Sequence, residues 1–177
     1  MSVAWTLGAH TESPDGTRAL AEALAAAARP GDLVLLVGGL GAGKTGFAQG
    51  FARGLGVDGP VTSPTFTLVR QYGCAGDGPV GQLLHADLYR LDHLAEVADL
   101  ALPELLEEKA VALVEWGDVG APVLGESALE VSIVPGGAAA GRVVTFSGRG
   151  TGWSDRRDGV AGALGPLLDE PAASRPR

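Results

Sequence analysis

An α/β fold, built on a mostly parallel central sheet with flanking helices, is predicted by three features of this 177-residue chain. Apolar runs of strand length at Leu33–Val37, Val80–His85 and Val111–Val114 alternate with stretches of helical period, the pattern left by parallel strands joined through crossover helices. The first run leads directly into a glycine-rich octet. The other two are followed closely by carboxylates, at Asp87 and Glu115. The length suits one domain able to bury a core without disulfides or metal.

The octet Gly38-Gly39-Leu40-Gly41-Ala42-Gly43-Lys44-Thr45 matches G-x-x-x-x-G-K-[ST] at every position. Residues lacking Cβ let successive backbone N–H groups turn inward around phosphate oxygens, and a helix starting at the loop adds its positive dipole end. Lys44 supplies a point charge to the β- and γ-phosphates, and Thr45 offers a hydroxyl to Mg²⁺. With Gly46 this loop forms the expected nucleotide cradle, Gly38 to Gly46, of a single-domain P-loop NTPase-like fold. Gly41, Gly43 and Gly46 also satisfy the dinucleotide pattern G-x-G-x-x-G. That reading leaves Lys44 and Thr45 idle and requires a strand ending in an acid about 20 residues on, where Val61-Thr62-Ser63-Pro64-Thr65 stands instead.

The remaining elements follow in order. Val3–Leu7 suits an edge strand, and Ser13-Pro14-Asp15 reads as N-cap, first helical Pro and first-turn acid of a helix reaching about Ala28. Its apolar stripe is expected from Leu20, Leu24, Ala23 and Ala27 or Ala28. Phe47, Phe51 and Leu55 bury one face of the loop helix. Val61 onward is an irregular loop through Ser63-Pro64-Thr65, passing into a strand over Phe66–Tyr72, and Gly73–Pro79 is turn-rich. Leu91–Glu108 is helical in composition, broken near Pro103, with Leu102, Leu105 and Leu106 as core. Leu129–Val134 and Arg142–Ser147 form a C-terminal antiparallel hairpin. Asp158–Leu168 predicts a short glycine-interrupted helix, and the Pro- and Ala-rich Asp169–Arg177 predicts disorder.

Composition narrows the function. The formal net charge is −8, from 21 acidic and 13 basic residues, and the basic ones are scattered. A protein that grips nucleic acid unaided needs a basic face to displace phosphate counterions, so any RNA connection is indirect. Cys74 is the only cysteine, which suits a reducing compartment, and His10, His85 and His93 lack zinc spacing. The first residues carry no basic-then-apolar leader, and no apolar run is of membrane-spanning length, so a cytoplasmic protein that meets no membrane is expected.

A phosphate loop binds nucleotide; hydrolysis also needs an acid for Mg²⁺ and an oriented water. Glu115, after four apolar strand residues, is the candidate metal acid beside Thr45. Asp87 is a second strand-end acid, and Thr65 is a candidate sensor of the γ-phosphate on a switch-like loop. His85 is expected to orient neighbours, and Tyr89 and Trp116 to be half-buried packing groups.

Four blocks fall into one pattern. The loop followed by Phe47, Gly50 and Leu55-Gly56, then Ser63-Pro64-Thr65-Phe66-Thr67-Leu68-Val69, then His85-Ala86-Asp87-Leu88-Tyr89-Arg90-Leu91, and finally Val114-Glu115-Trp116, resemble the TsaE (YjeE) family in order and spacing. The resemblance runs from about Leu33 to Asp118. It implies a small P-loop ATPase using ATP and Mg²⁺ and working with TsaD and TsaB to make threonylcarbamoyladenosine in tRNA. On that basis Lys44 serves the phosphates, Thr45 and Glu115 the metal, and Asp87 turnover, with Trp116 beside the metal acid. Residues 1–150 then form the ATPase domain and 151–177 a partly disordered extension. Gly39 and Gly46 depart from the residues common in the family, but neither removes a ligand. A small-molecule kinase would need an arginine-rich lid, and none lies between Arg90 and Arg142. A nucleotide-gated binding module with little hydrolysis would keep the same loop.

Overall fold

The computed structural model describes residues 2–91, 94–100, 102–106, 109–137 and 139–169. The elements run β1 (Val3–Thr11), α1 (Pro14–Ala25), β2 (Leu33–Val37), α2 (Lys44–Gly54), β3 (Val69–Gly73), β4 (Gln82–Asp87) and α3 (Leu94–Ala98). They continue with α4 (Leu102–Leu105), β5 (Ala110–Glu115), α5 (Gly117–Leu124), β6 (Ala128–Pro135), β7 (Arg142–Arg149) and α6 (Arg157–Leu164). One seven-stranded sheet has the order β1-β7-β6-β2-β5-β4-β3. Its four central strands β6, β2, β5 and β4 are parallel. Antiparallel partners close both sides: β7 and β1 beyond β6, and β3 beyond β4.

Side chains alternate across the sheet and two apolar layers result. Val34, Leu36, Leu83, Val111 and Leu113 face Phe47 and Phe51 of α2 and Leu20 and Leu24 of α1. Leu35, Leu84, Ala86, Ala112 and Val114 face the opposite way, toward Val97, Leu102 and Leu124. The period of two carries a consequence for chemistry. His85 and Asp87 continue the Leu83 side of β4, and Glu115 continues the Val111 and Leu113 side of β5, so all three acids and imidazole emerge on the α2 face.

The Ser13 hydroxyl accepts the Gly16 N–H at 3.1 Å, with Pro14 in the first turn, so α1 begins as its capping residues dictate. It stops at Ala25 rather than Ala28, and its fully buried alanines are Ala21 and Ala25. The cause lies far away in sequence. Arg156 donates to the Ala27 carbonyl at 2.7 Å and to Asp32 at 2.5 and 2.8 Å, while Asp32 accepts the Arg29 N–H, which turns the chain toward β2. Helices α1 and α2 touch at glycine: a Cβ on Gly50 would collide with the backbone of Arg18.

Three further expectations are corrected. The strand β3 starts at Val69, not Phe66, because residues 65–67 form a turn and Leu68 is left-handed at φ 63°; Phe66 is 84% exposed. Asp87 is the last residue of β4 rather than a residue beyond it. Leu102 is core and Leu106 is partly buried, but Leu105 is exposed, since α4 is a single turn whose break precedes Pro103. Residues 92, 93, 101, 107 and 108 of that stretch lie outside the described residues.

Beyond β7 the chain returns over α1 and β1. Trp153, Val160 and Leu164 join the core, and the Trp153 carbonyl accepts the Trp5 indole N–H at 2.6 Å. Helix α6 passes through Gly159 and Gly162 without interruption. Asp169 donates its N–H to the Gly8 carbonyl and places its carboxylate 2.8 Å from His10 Nδ1. Residues 170–177, for which disorder is expected, lie outside the described residues.

Candidate active site

The loop between β2 and α2 crosses the carboxyl end of the sheet, where ligands collect in open α/β folds. Gly38, Gly41 and Gly43 have φ of 157°, 73° and 105°, so the turn depends on residues free of Cβ. Gly39 and Gly46 have ordinary φ and open space around them, which explains why other residues fit there. Helix α2 has Gly43 as its N-cap and no side-chain cap, leaving its first N–H groups for an external acceptor.

Lys44 is 5% exposed and folds back over the loop, donating to the carbonyls of Gly38 at 2.6 Å and Gly39 at 2.8 Å. Its Nζ lies 3.7 Å from the centre of the Trp116 ring. Burial lowers its pKa, an effect opposed by the Glu115, Asp87 and Asp118 carboxylates. Trp116 caps α5 in the left-handed region at φ 59°, a strained position for an indole. The next residue explains the bend: a Cβ on Gly117 would press into Leu35.

Glu115 is 3% exposed, and the Thr45 hydroxyl donates to its two oxygens at 3.1 and 3.0 Å. Its Oε1 also lies 2.9 Å from Nε2 of His85, which is fully buried. Nδ1 of His85 has no partner among the described residues, so Nε2 carries the proton and donates to Glu115. The expectation that His85 orients a neighbour identifies that neighbour as Glu115.

Asp87 pairs in register with Glu115 across β4 and β5. Its Oδ2 accepts the hydroxyls of Ser63 at 2.8 Å and Thr65 at 2.7 Å, and Oδ1 accepts the Tyr89 N–H at 3.0 Å. Thr65 therefore faces Asp87. Tyr89 is 51% exposed rather than half-buried, stacked at 5.0 Å on Trp116. All these groups line one cavity of about 400 Å³ with Leu40, Gly41, Ala42, Gly43 and Gly46. Gly38 and Gly39 stand behind it as acceptors for Lys44.

Two contributors escaped the reading of the sequence. Ser63 shares Asp87 with Thr65, which two hydroxyls flanking a proline could have signalled. Arg142 reaches the loop from the start of β7, donating to the carbonyls of Ala42 at 2.6 Å and Gly41 at 3.1 Å. No local pattern announces that contact.

A uncapped helix start behind a left-handed glycine loop, at the switch of a parallel sheet, with a buried lysine and a threonine–glutamate pair, defines a P-loop NTPase-like protein. The profile of the family described as "Threonylcarbamoyl adenosine biosynthesis protein TsaE" matches residues 11–143. The chain belongs to the TsaE family. It is 42% identical over 141 residues to tRNA threonylcarbamoyladenosine biosynthesis protein TsaE of Bacillus subtilis, covering 80% of this chain and 85% of that one. It is 45% identical over 141 residues to the protein of the same name from Streptomyces coelicolor, covering 77% and 93%. The crystal structure of Bacillus subtilis YdiB superposes with a TM-score of 0.70 at 33% identity, covering 93% of this chain and 96% of that chain.

Proposed function

We propose that this protein is an Mg²⁺-dependent ATPase that serves threonylcarbamoyladenosine biosynthesis in tRNA, acting with TsaD and TsaB. Its place in that biosynthesis follows from the family. The observation that carries the ATPase reading is the hydrogen-bonded pair Thr45–Glu115 beside the buried Lys44 at the open start of α2. A hydroxyl and a carboxylate held on one spot fit a hard cation that keeps most of its waters.

Thr45 and Glu115 would hold Mg²⁺, which neutralises charge on the β- and γ-oxygens when bound. The N–H groups of the loop and Lys44 hold the phosphates. Lys44 exchanges its loop carbonyls for phosphate oxygens, a stronger, charge-assisted pairing. His85 fixes the Glu115 carboxylate from the far side. Asp87 holds the Ser63–Thr65 segment at the cavity rim, which supports a role in turnover more than in binding. The scattered positive charge and net −8 support partners, not this subunit, as the main grip on tRNA.

Nucleotide binding and phosphate release measured with Mg²⁺, alone and with TsaD–TsaB, test this reading. Lys44→Ala should abolish binding, and Glu115→Gln should lower turnover by roughly 100-fold while ATP still binds. ATP affinity retained in Lys44→Ala, or unaltered turnover in Glu115→Gln, would overturn it.

A further inference from the structure

Arg142 begins β7 and is separated from the phosphate loop by the whole centre of the chain, yet its guanidinium lies against the loop's outer side. Nε donates to the Ala42 carbonyl at 2.6 Å, Nη2 to the Gly41 carbonyl at 3.1 Å, and Nη1 to the Gly141 carbonyl at 2.7 Å. One planar, permanently charged fork thus joins two consecutive loop carbonyls to the turn of the β6–β7 hairpin. Neither Gly41 nor Ala42 carries a side chain that could hold this turn from within.

In a trans peptide the C=O of one residue and the N–H of the next point to opposite sides of one rigid plane, and the chain has no cis bond among its described residues. Fixing the Gly41 and Ala42 carbonyls outward therefore fixes the Ala42 and Gly43 N–H groups on the opposite, cavity side. The Ala42 N–H closes a 3.2 Å turn onto the Gly39 carbonyl, one of the two acceptors of Lys44. Gly43, at φ 105°, is the N-cap of α2. Without an external tether, the glycines at 41 and 43 leave these peptide planes free to rotate.

We infer that Arg142 is a positioning residue that sets the phosphate loop for nucleotide by pinning the Gly41 and Ala42 carbonyls from outside. This deepens the ATPase reading and rests on it for its consequence, although the pinning itself is a property of the protein without nucleotide. Arg142 acts on bound phosphate through the loop and the β6–β7 hairpin becomes part of the site's support.

Amide hydrogen exchange on the full-length, nucleotide-free protein tests the pinning directly. In Arg142→Ala the amides of Ala42, Gly43 and Lys44 should exchange about tenfold faster, with exchange in β2 and β5 unchanged. Titration with Mg²⁺–ADP should show affinity weakened roughly tenfold, the worth of one or two hydrogen bonds. Arg142→Lys, which keeps the charge but cannot fork, should fall between and serves if the alanine variant does not fold. Loop exchange equal to wild type in both variants overturns the inference, even if affinity falls, since that result means direct contact with the ligand. A wild-type protein that binds no nucleotide overturns the ATPase reading instead, and the exchange measurement still decides the role of Arg142.

Discussion

Lys44 carries the sharpest consequence of burial at a single residue. Because its pKa is lowered, the unfolded chain binds more protons than the folded one between that value and the ordinary lysine range. The cost to stability is thus full below the lowered pKa and is relieved as pH rises toward the unfolded value. Nucleotide binding runs the other way, since it needs the ammonium. ATP affinity should decline on the alkaline side, starting below the ordinary lysine pKa, and isothermal titration across pH reads it; a flat profile into that range would remove the claim. At this scale the sequence was informative for the loop, Asp87 and Glu115, whose meaning comes from spacing and strand ends. It was silent on Arg142, because a contact between sites so distant in sequence depends on the closed sheet.

At the scale of elements, the helices and strands followed local chemistry where local chemistry was unopposed. The N-terminus of α1 obeys its Ser-Pro-Asp cap, and β2 and β5 their apolar runs. Departures occur where a distant group competes. Phe66, Thr67 and Leu68 have strand propensity, but the hydroxyls of Ser63 and Thr65 are drawn onto Asp87 and hold the preceding turn. The end of α1 yields to Arg156 in the same way. Gly50 shows the converse, a residue that weakens an isolated helix yet permits α1 and α2 to meet. Gly50→Ala should destabilise the protein by about 1–3 kcal/mol despite alanine's better helix propensity. Urea unfolding would show it, and a neutral or stabilising effect would mean that the helices separate at no cost.

For the whole molecule, the segment after Gly152 is integral to the core. Trp153 is 3% exposed, Val160 and Leu164 are each 1% exposed, and Arg156 pairs with the buried Asp32. A chain ending at Gly152 loses these side chains and leaves a buried carboxylate unpaired. The combined cost, well above about 5 kcal/mol, reaches the whole stability of an ordinary domain. Thermal unfolding should find no cooperative transition, and a transition near that of the intact protein would refute the argument. Sparse periodicity and the glycines of α6 hid this role, since α6 buries only two residues and relies on α1 and β1 to receive them.

The pairing of β1 with β7 also sets a timetable for biosynthesis. The first strand to leave the ribosome, with Trp5, Leu7 and Ala9 on its inward side, finds its hydrogen-bonding partner only when Arg142–Arg149 emerges. At ordinary elongation speeds that is a wait of roughly 7–26 s. The parallel centre of the sheet can form during this interval, while the nascent N-terminal strand remains a client for holding chaperones until the last strand is made.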